Sequence, residues 1–490
     1  MTPTPEQAAI IEAAKTTTQS LIINALAGAA KTSTLVMICK ALPVIPILSL
    51  AFNKRIADEM KLRLPSHVES ATLNSIGHRT WSTAIGRRLM VDAKKTYTSI
   101  KTYIESLPRR DQGEAYEVLS EAVRLVGTMK SSGYIPEGKY LPIKRIISRE
   151  AFLDSLDETP SELALELAES ALTSSIEGAY NGLIDFDDQI YMPTLFGGTF
   201  PRFQLILVDE AQDLSALNHA MLRKLATTRL IAVGDPWQSI YGFRGAVSNG
   251  MDSLKETFQC RELTLSISFR CPASVVREAN SRVPHMRARE DAPEGLVARL
   301  DSWSEKDIPE NAVIICRNNA PLFKLALELI KQKRGVSLPG MDIGPRLLKT
   351  LRDFGKPDMP QEQVFHAIER WKEAGLKKPK GKGSILDRAE CLRVFAEAGP
   401  NLAAAIAYAE HLFASKGPIQ LMSGHKSKGL EFPVVFHLDP WRIPSPYSET
   451  PEQIEQERNI AYVIATRSKE TLYFADLDKF ITGSEGATNG

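Results

Sequence analysis

The chain has 490 residues, enough for several domains with sizeable cores. Its 60 lysines and arginines against 59 aspartates and glutamates leave a formal charge of +1. That excludes a protein held on nucleic acid by bulk positive charge; any such binding has to use local grooves and stacking. The five cysteines (Cys39, Cys260, Cys271, Cys316 and Cys391) are scattered, with no CxxC pair and no Cys/His cluster. Structural zinc, an iron–sulfur cluster and a disulfide framework are therefore not expected, and the usage suits a cytoplasmic protein.

The N-terminus, M-T-P-T-P-E-Q, lacks the basic start and apolar core of a signal peptide. The most apolar early run, Ala41 to Phe52, is broken by Pro43 and Pro46, and no segment approaches the roughly 20 apolar residues of a membrane span. Short apolar runs recur along the chain at Leu21–Ile23, Ile45–Ala51, Leu205–Val208, Leu230–Val233 and Leu263–Ile267, then at Ala312–Cys316, Val434–Leu438 and Thr471–Ala475. Helical patterns separate them, so they read as buried strands of parallel sheets covered on both faces. Two groups, divided near residue 262, predict two sheet domains. Each is interrupted by an insert. The first, 81–181, carries amphipathic stretches such as Gly113–Lys130 and Ser161–Tyr180 and reads as helical. The second, 338–414, contains Trp371–Ser384, W-K-E-A-G-L-K-K-P-K-G-K-G-S, which reads as a basic, glycine-punctuated loop between helices. The tail 483–490 is small and polar and reads as frayed.

Chemistry-bearing residues follow three of the predicted strands. After Leu21–Ile23 comes A-L-A-G-A-A-K-T, Ala25 to Thr32. A lysine-threonine pair between a strand and a helix suits phosphate binding: the lysine neutralises the β/γ-phosphates and the hydroxyl holds Mg²⁺. The standard phosphate loop has glycine where this chain has Ala25 and Ala30, positions where the backbone approaches phosphate and positive φ is favoured. An alanine forced into that conformation costs on the order of 1 kcal/mol. Taken alone, the loop also describes a small-residue helix start. After Leu205–Val208 come Asp209 and Glu210, suited to hold Mg²⁺ and to polarise the attacking water; a capped helix start is the plainer reading of such a pair. After Leu230–Val233 comes G-D-P-W-Q, with Gln238 within reach of a γ-phosphate. Polar groups at the carboxyl ends of three strands converge where open α/β sheets bind ligands.

Through these and further segments the chain resembles the UvrD/Rep-type DNA helicases of superfamily 1, including the F-box DNA helicase branch. T-P-E-Q-A-A-I-I (Thr4–Ile11) resembles the N-terminal glutamine motif; the Lys31-Thr32 loop motif I; L-S-L-A-F-N-K-R-I-A-D-E-M (Leu48–Met60) motif Ia; and A-T-L-N-S-I-G-H-R (Ala71–Arg79) the T-F-H-S motif, with Asn74 where histidine is usual. I-D-F-D-D-Q-I (Ile184–Ile190) resembles the segment before motif II, V-D-E-A-Q-D motif II, and G-D-P-W-Q-S-I-Y-G-F-R-G-A motif III. L-T-L-S-I-S-F-R (Leu263–Arg270) resembles motif IV, with Phe269 for the usual tyrosine. S-G-H-K-S-K-G-L-E-F-P-V-V-F (Ser423–Phe436) resembles motif V, and Q-E-R-N-I-A-Y-V-I-A-T-R-S (Gln456–Ser468) motif VI.

The resemblance implies an α/β fold of two RecA-like P-loop NTPase domains with parallel sheets. Domain 1A would comprise 1–80 and 182–262, insert 1B 81–181, domain 2A 263–337 and 415–482, and a reduced insert 2B 338–414. It implies ATP and Mg²⁺ as cofactors. The loop Ala27, Gly28, Ala29, Ala30, Lys31, Thr32 and Ser33 would cradle phosphate, with Thr32 and Asp209 on the metal. Glu210 would be the general base, Gln238 the γ-phosphate sensor, and Arg270 and Arg467 arginine fingers. Gln7 and Phe269 would hold adenine, and Glu431 would contact the ribose or couple the nucleotide to DNA. Phe52, Tyr241, Phe243 and Arg244 would stack on or grip single-stranded DNA, and Asn53, Asn74, His78, His425 and Lys426 would meet its phosphates. Lys377, Lys378, Lys380 and Lys382 suit either duplex contact or a solvated loop. The implied activity is ATP-dependent, 3′-to-5′ translocation on single-stranded DNA with unwinding at single-strand/duplex junctions, by a monomer that meets replication or repair proteins. The other readings are a translocase without strong unwinding, a non-hydrolysing ATP-dependent DNA-binding module, and a helicase–nuclease whose nuclease is a separate subunit.

Overall fold

The computed structural model describes residues 2–51, 53–138, 140, 142, 145–225, 229–240, 249–340 and 343–481. The chain divides into two compact units, Met1–Ala25 with Ala30–Leu265 and Leu26–Ala29 with Ser266–Gly490.

The first unit is built on a six-stranded parallel sheet. Its strands are β1 (Leu21–Ala25), β2 (Ile47–Leu50), β3 (Val68–Ala71), β4 (Leu205–Val208), β5 (Leu230–Gly234) and β6 (Arg261–Leu265). They lie in the order β3-β2-β4-β5-β1-β6. β2, β4 and β5 are buried along their whole length, which is why they read as unbroken apolar runs. The strand read from the sequence as Leu263–Ile267 in the second group is β6, paired with β1 from Leu21↔Arg261 to Ala25↔Leu265. The divide therefore falls after Leu265, not 262. Helix Pro5–Thr16 leads into β1; it starts at a capping box in which Thr4 and Gln7 bond each other's backbone. Asn53 caps helix Lys54–Arg63 by accepting from Ile56 N.

The first insert is helical, with Lys95–Ser106, Arg109–Ser132 and Glu162–Tyr180 packed around a core of their own that includes Trp81, Val126, Leu172 and Tyr191. Trp81 Nε1 donates to Ala179 O at 3.0 Å, tying helix Leu73–Ile85 to Glu162–Tyr180. At the base of the insert Lys130 is fully buried against Asp185 (2.6 Å) and Asp188 (2.7 Å), and Lys95 lies 2.6 Å from Asp188.

The second unit holds another six-stranded parallel sheet. It comprises β7 (Leu296–Leu300), β8 (Ala312–Cys316), β9 (Val336–Ser337), β10 (Ile419–Ser423), β11 (Phe432–Leu438) and β12 (Ser468–Ala475), in the order β7-β12-β11-β8-β10-β9. Its insert is four helices: Gly344–Asp353, Gln361–Leu376, Lys382–Glu397 and Leu402–Ala414. Unlike the first insert, this one shares a single core with its sheet. Ile314, Leu421 and Phe436 of the strands join Leu351, Ile368, Phe395 and Leu412 of the insert, with Phe323 stacked on Phe395 at 5.3 Å. Trp371–Ser384 is not one long loop. Trp371 to Leu376 finish a helix, Lys382 opens the next, and only 377–381 lie between.

Candidate nucleotide-binding site

In the first unit β4, β5 and β1 are neighbours, and each ends in a piece of the site. Past β1 the chain turns through Gly28 (φ 74°) and Ala30 (φ 55°, ψ 41°) into helix Lys31–Ala41. Ala30 thus adopts the left-handed conformation for which glycine is favoured, at a cost of roughly 1 kcal/mol. Past β4, Glu210 is left-handed as well (φ 51°, ψ 42°). A side chain other than glycine in that conformation marks a backbone held by its surroundings, a state common at functional sites.

The side chains meet across these turns. Lys31 Nζ lies 2.7 Å from Glu210 Oε2, and Thr32 Oγ1 donates to Asp209 Oδ2 at 3.2 Å. Burial pulls the Lys31 ammonium down, but the carboxylates of Glu210, Asp209 and Asp235 outweigh it, so its pKa is raised. Burial, helped by the charge of Glu210, pushes Asp209 up to about 6. Burial also pushes Asp235 up to about 6. Gln238 is buried, and its Nε2 donates to Asp235 Oδ2 at 2.6 Å. The Thr32 hydroxyl and the Asp209 carboxylate set two hard oxygen donors side by side, a fit for Mg²⁺ completed by phosphate and water oxygens. Among the described residues no group of three or more His, Cys, Asp and Glu side chains could hold a metal ion.

The remaining nucleotide candidates are placed as follows. Ala27 and Ala29 are buried, and Ala29 N donates to Leu26 O. Ser33 Oγ accepts from Arg63 Nη2 at 3.1 Å. Gln7 is buried, with Oε1 accepting from Thr4 N and Nε2 donating to Thr34 Oγ1 at 3.0 Å. Both ends of its amide thus serve the local fold.

In the second unit Arg270 Nε lies 2.8 Å from Glu431 Oε2, and Lys469 Nζ lies 2.5 Å from Glu431 Oε1. Burial would raise the Glu431 carboxyl, but Lys469 and Arg270 hold it below its ordinary value. Arg467 is 1% exposed. Its guanidinium donates to Val463 O (2.8 Å) and Thr466 Oγ1 (3.1 Å) at the end of helix Pro451–Ala465, and to Leu430 O (3.1 Å) just before β11. Phe269 is exposed, and its N–H donates to Gly28 O at 2.9 Å. A Cβ on Gly28 would fall 2.6 Å from both Ser268 Oγ and Arg270 Cβ, so the one glycine kept in the loop is required by packing as well as by φ. His425 and Lys426 lie on the short helix Gly424–Ser427.

Of the DNA-facing candidates, Phe52, Tyr241, Phe243 and Arg244 lie outside the described residues. Asn53 serves as the cap already noted. His78 Nδ1 is 3.3 Å from Gln189 Nε2. Asn74 Nδ2 donates to Phe186 O at 2.7 Å. Phe186 is 57% exposed on the turn between two buried aspartates, Asp185 and Asp188. Sequence reasoning did not single it out; the signal was an aromatic between carboxylates, where a core residue is not expected. Gln212 and Asp235 were also passed over, although both are buried beside the paired carboxylates.

Two parallel six-stranded sheets, the first with a Lys-Thr pair past β1 and an Asp-Glu pair past β4 on either side of β5, define two RecA-like domains of the P-loop NTPase class. Residues 4–259 match the UvrD/REP helicase N-terminal domain and residues 401–478 the UvrD-like helicase C-terminal domain. The chain belongs to the UvrD/REP helicase family. It is 24% identical to F-box DNA helicase protein 1 of Schizosaccharomyces pombe, over 96% of this chain and 57% of that protein. It is 22% identical to ATP-dependent DNA helicase PcrA of Staphylococcus epidermidis, over 95% of this chain and 82% of that protein. The chain thus spans little more than half the length of the F-box relative. Among solved structures, arterivirus nonstructural protein 10 (helicase) aligns over 96% of this chain and 61% of its own, at 13% identity and a TM-score of 0.36. No described helix is long and apolar enough to cross a membrane.

Proposed function

We propose that this chain is an ATP-dependent DNA helicase that moves 3′ to 5′ along single-stranded DNA and unwinds duplex DNA at junctions. One observation carries the reading: Lys31, Thr32, Asp209 and Glu210 meet within hydrogen-bond reach past the ends of β1 and β4, the two parallel strands that flank β5. Gln238 and Asp235 complete the edge. In this reading Lys31 and the backbone of Ala27 to Ala30 take the phosphates, and Thr32 and Asp209 hold Mg²⁺, which would neutralise charge on the transferring phosphoryl group. Glu210 polarises the attacking water. Ser33 extends the loop, Gln7 and Phe269 border the adenine, and Glu431 the ribose. Arg270 and Arg467 supply positive charge to the transition state.

On the DNA side the proposal keeps Phe52, Asn53, Asn74, His78, Tyr241, Phe243, Arg244, His425 and Lys426, and adds Phe186 beside Asn74. Base stacking of this kind is worth roughly 1–3 kcal/mol per base and is indifferent to sequence. The domain division is that of the sequence with the divide moved from 262 to 265: 1–80 with 182–265, 81–181, 266–337 with 415–482, and 338–414. The small second insert, the monomeric state and replication or repair partners belong to the same reading.

Steady-state ATP hydrolysis with and without single-stranded DNA, beside Glu210→Gln, tests it. Strong stimulation by DNA that the variant loses supports a DNA-driven motor, and duplexes with 3′ or 5′ tails then read polarity. Nucleotide binding without turnover, unchanged by DNA, would overturn it.

A further inference from the structure

We infer that Gln212 is a positioning residue: its side-chain amide ties the Glu210 carboxylate to the backbone of Asp235, and through Asp235 to Gln238. Gln212 is 1% exposed. Its Nε2 donates to Glu210 Oε2 at 2.7 Å and more weakly to Asp213 Oδ2 at 3.3 Å. Its Oε1 accepts from Asp235 N at 2.9 Å. The amide orientation is set by these partners, since an N–H faces Oε1 and carboxylate oxygens face Nε2. Asp235 carries the chain onward, its Oδ2 accepting from Gln238 Nε2 at 2.6 Å and its Oδ1 from Trp237 N at 3.2 Å. Glu210, Gln212, Asp235 and Gln238 form one hydrogen-bonded line across the ends of β4 and β5, through the Asp235 backbone N–H and its carboxylate.

Packing holds the line in place. A Cβ on Gly234 would lie 2.5 Å from Gln212 Oε1, 2.7 Å from Met251 Sδ and 3.0 Å from Gln212 N. Any side chain at 234 would push the amide away from Asp235. The glycine before Asp235 and the glutamine two residues after Glu210, far apart in sequence, are thus explained by one contact.

The chemistry follows from what each partner can do. Glu210 Oε2 accepts from both Lys31 and Gln212. A phosphate that draws Lys31 away leaves the carboxylate still oriented by the glutamine, which carries no charge and does not compete for the anion. A neutral amide is the side chain that can donate to Glu210 at one end and accept from a backbone N–H at the other. A glutamate there would set a second carboxylate against Glu210, and a methionine would fill the volume with neither bond. The line also gives displacement of Glu210 a route to Gln238 and the segment after it, so occupancy of the phosphate site is felt beyond β5.

This inference rests on the ATPase reading. Its test uses the full chain as wild type, Gln212→Met and Gln212→Glu. It reads kcat and KM for ATP with and without single-stranded DNA, together with Tm. For both variants kcat falls by about 10²-fold, the low end of what a positioned general base contributes, while KM stays within about threefold. The DNA stimulation ratio falls with it. If Gln212→Met does not fold, Gln212→Glu carries the test, because it keeps the volume and the acceptor for Asp235 N. A variant with wild-type kcat and wild-type stimulation overturns the proposal, as does a raised KM at unchanged kcat. Wild-type protein that does not hydrolyse ATP on DNA overturns the underlying reading instead.

Discussion

Lys31 Nζ lies 2.7 Å from Glu210 Oε2, so the lysine suited to phosphate and the carboxylate suited to water are partners within one site. The pairing makes the two residues separable by experiment. Glu210→Gln keeps a neutral acceptor for Lys31 but loses the proposed base. Turnover is expected to fall by at least about 10²-fold while nucleotide affinity holds or tightens, because the lysine is less tightly engaged. Lys31→Met is expected to lose nucleotide affinity itself. Titration of a fluorescent ATP analogue beside steady-state hydrolysis separates the two, and turnover that survives Glu210→Gln removes Glu210 from the role of base.

Ala30 sits at φ 55°, ψ 41°, where glycine is the easier residue. Ala30→Gly relieves roughly 1 kcal/mol of local strain but gives back about 0.4–1 kcal/mol through the freer unfolded chain. The expected outcome is a Tm close to wild type with ATP hydrolysis retained. Ala30→Val sets a β-branched side chain in the same conformation and is expected to lower both Tm and nucleotide affinity. Thermal melts with and without nucleotide check the pair, and an Ala30→Val protein as stable as wild type would contradict the strain.

Much of the fold was legible because the central strands are buried on both faces. β4, β5 and β8 stand out as unbroken apolar runs and β1 as a run broken only at Asn24, and the carboxylates after β4 follow directly from one of them. β3 and β10 escaped notice because V-E-S-A and I-Q-L-M-S interleave polar residues over four or five positions. β6 was placed with the wrong group because R-E-L-T-L is a partly exposed edge strand, and only its register with β1 assigns it. Gln212 stood in plain sight within V-D-E-A-Q-D. Its role depends on Gly234 and Asp235, a contact that local pattern does not encode. Arg467 lies at a position that the resemblance marks for function, yet it is among the most buried large side chains, since two acceptors at its own helix end and the Leu430 carbonyl hold the guanidinium.

Lys130 is buried between Asp185 and Asp188, with Ser175 Oγ at 3.1 Å. Burial alone would lower its pKa, but the two aspartates raise it. Removing one member of such a group leaves charge without compensation, typically a loss of about 3–5 kcal/mol. Lys130→Met is expected to lower Tm by on the order of 10 °C. Adding Asp185→Asn to that background should recover part of the loss, since the excess carboxylate is removed. A double-mutant cycle measures the coupling, and strictly additive effects would contradict a shared network.

His437 gives the second unit a defined acid sensitivity. It is buried in β11 opposite Phe474, and its Nε2 has no hydrogen-bond partner among the described residues. Burial, helped by the charge of Arg299, pulls its pKa from 6.5 to about 4. Between those values the unfolded chain binds a proton that the folded chain refuses, so stability falls as pH drops from about 6.5 and levels off below about 4. The loss amounts to roughly 3 kcal/mol. His219 in the first unit is likewise pulled down to about 4, chiefly by burial, but Asp209 and Asp235 there are raised by burial to about 6 and act with the opposite sign. The effect is therefore best read as a difference between wild type and His437→Phe. The two are expected to diverge steadily in Tm between pH 7 and pH 4.5, with the variant the more stable at the acid end. Parallel curves across that range would mean that His437 takes up its proton in the folded state.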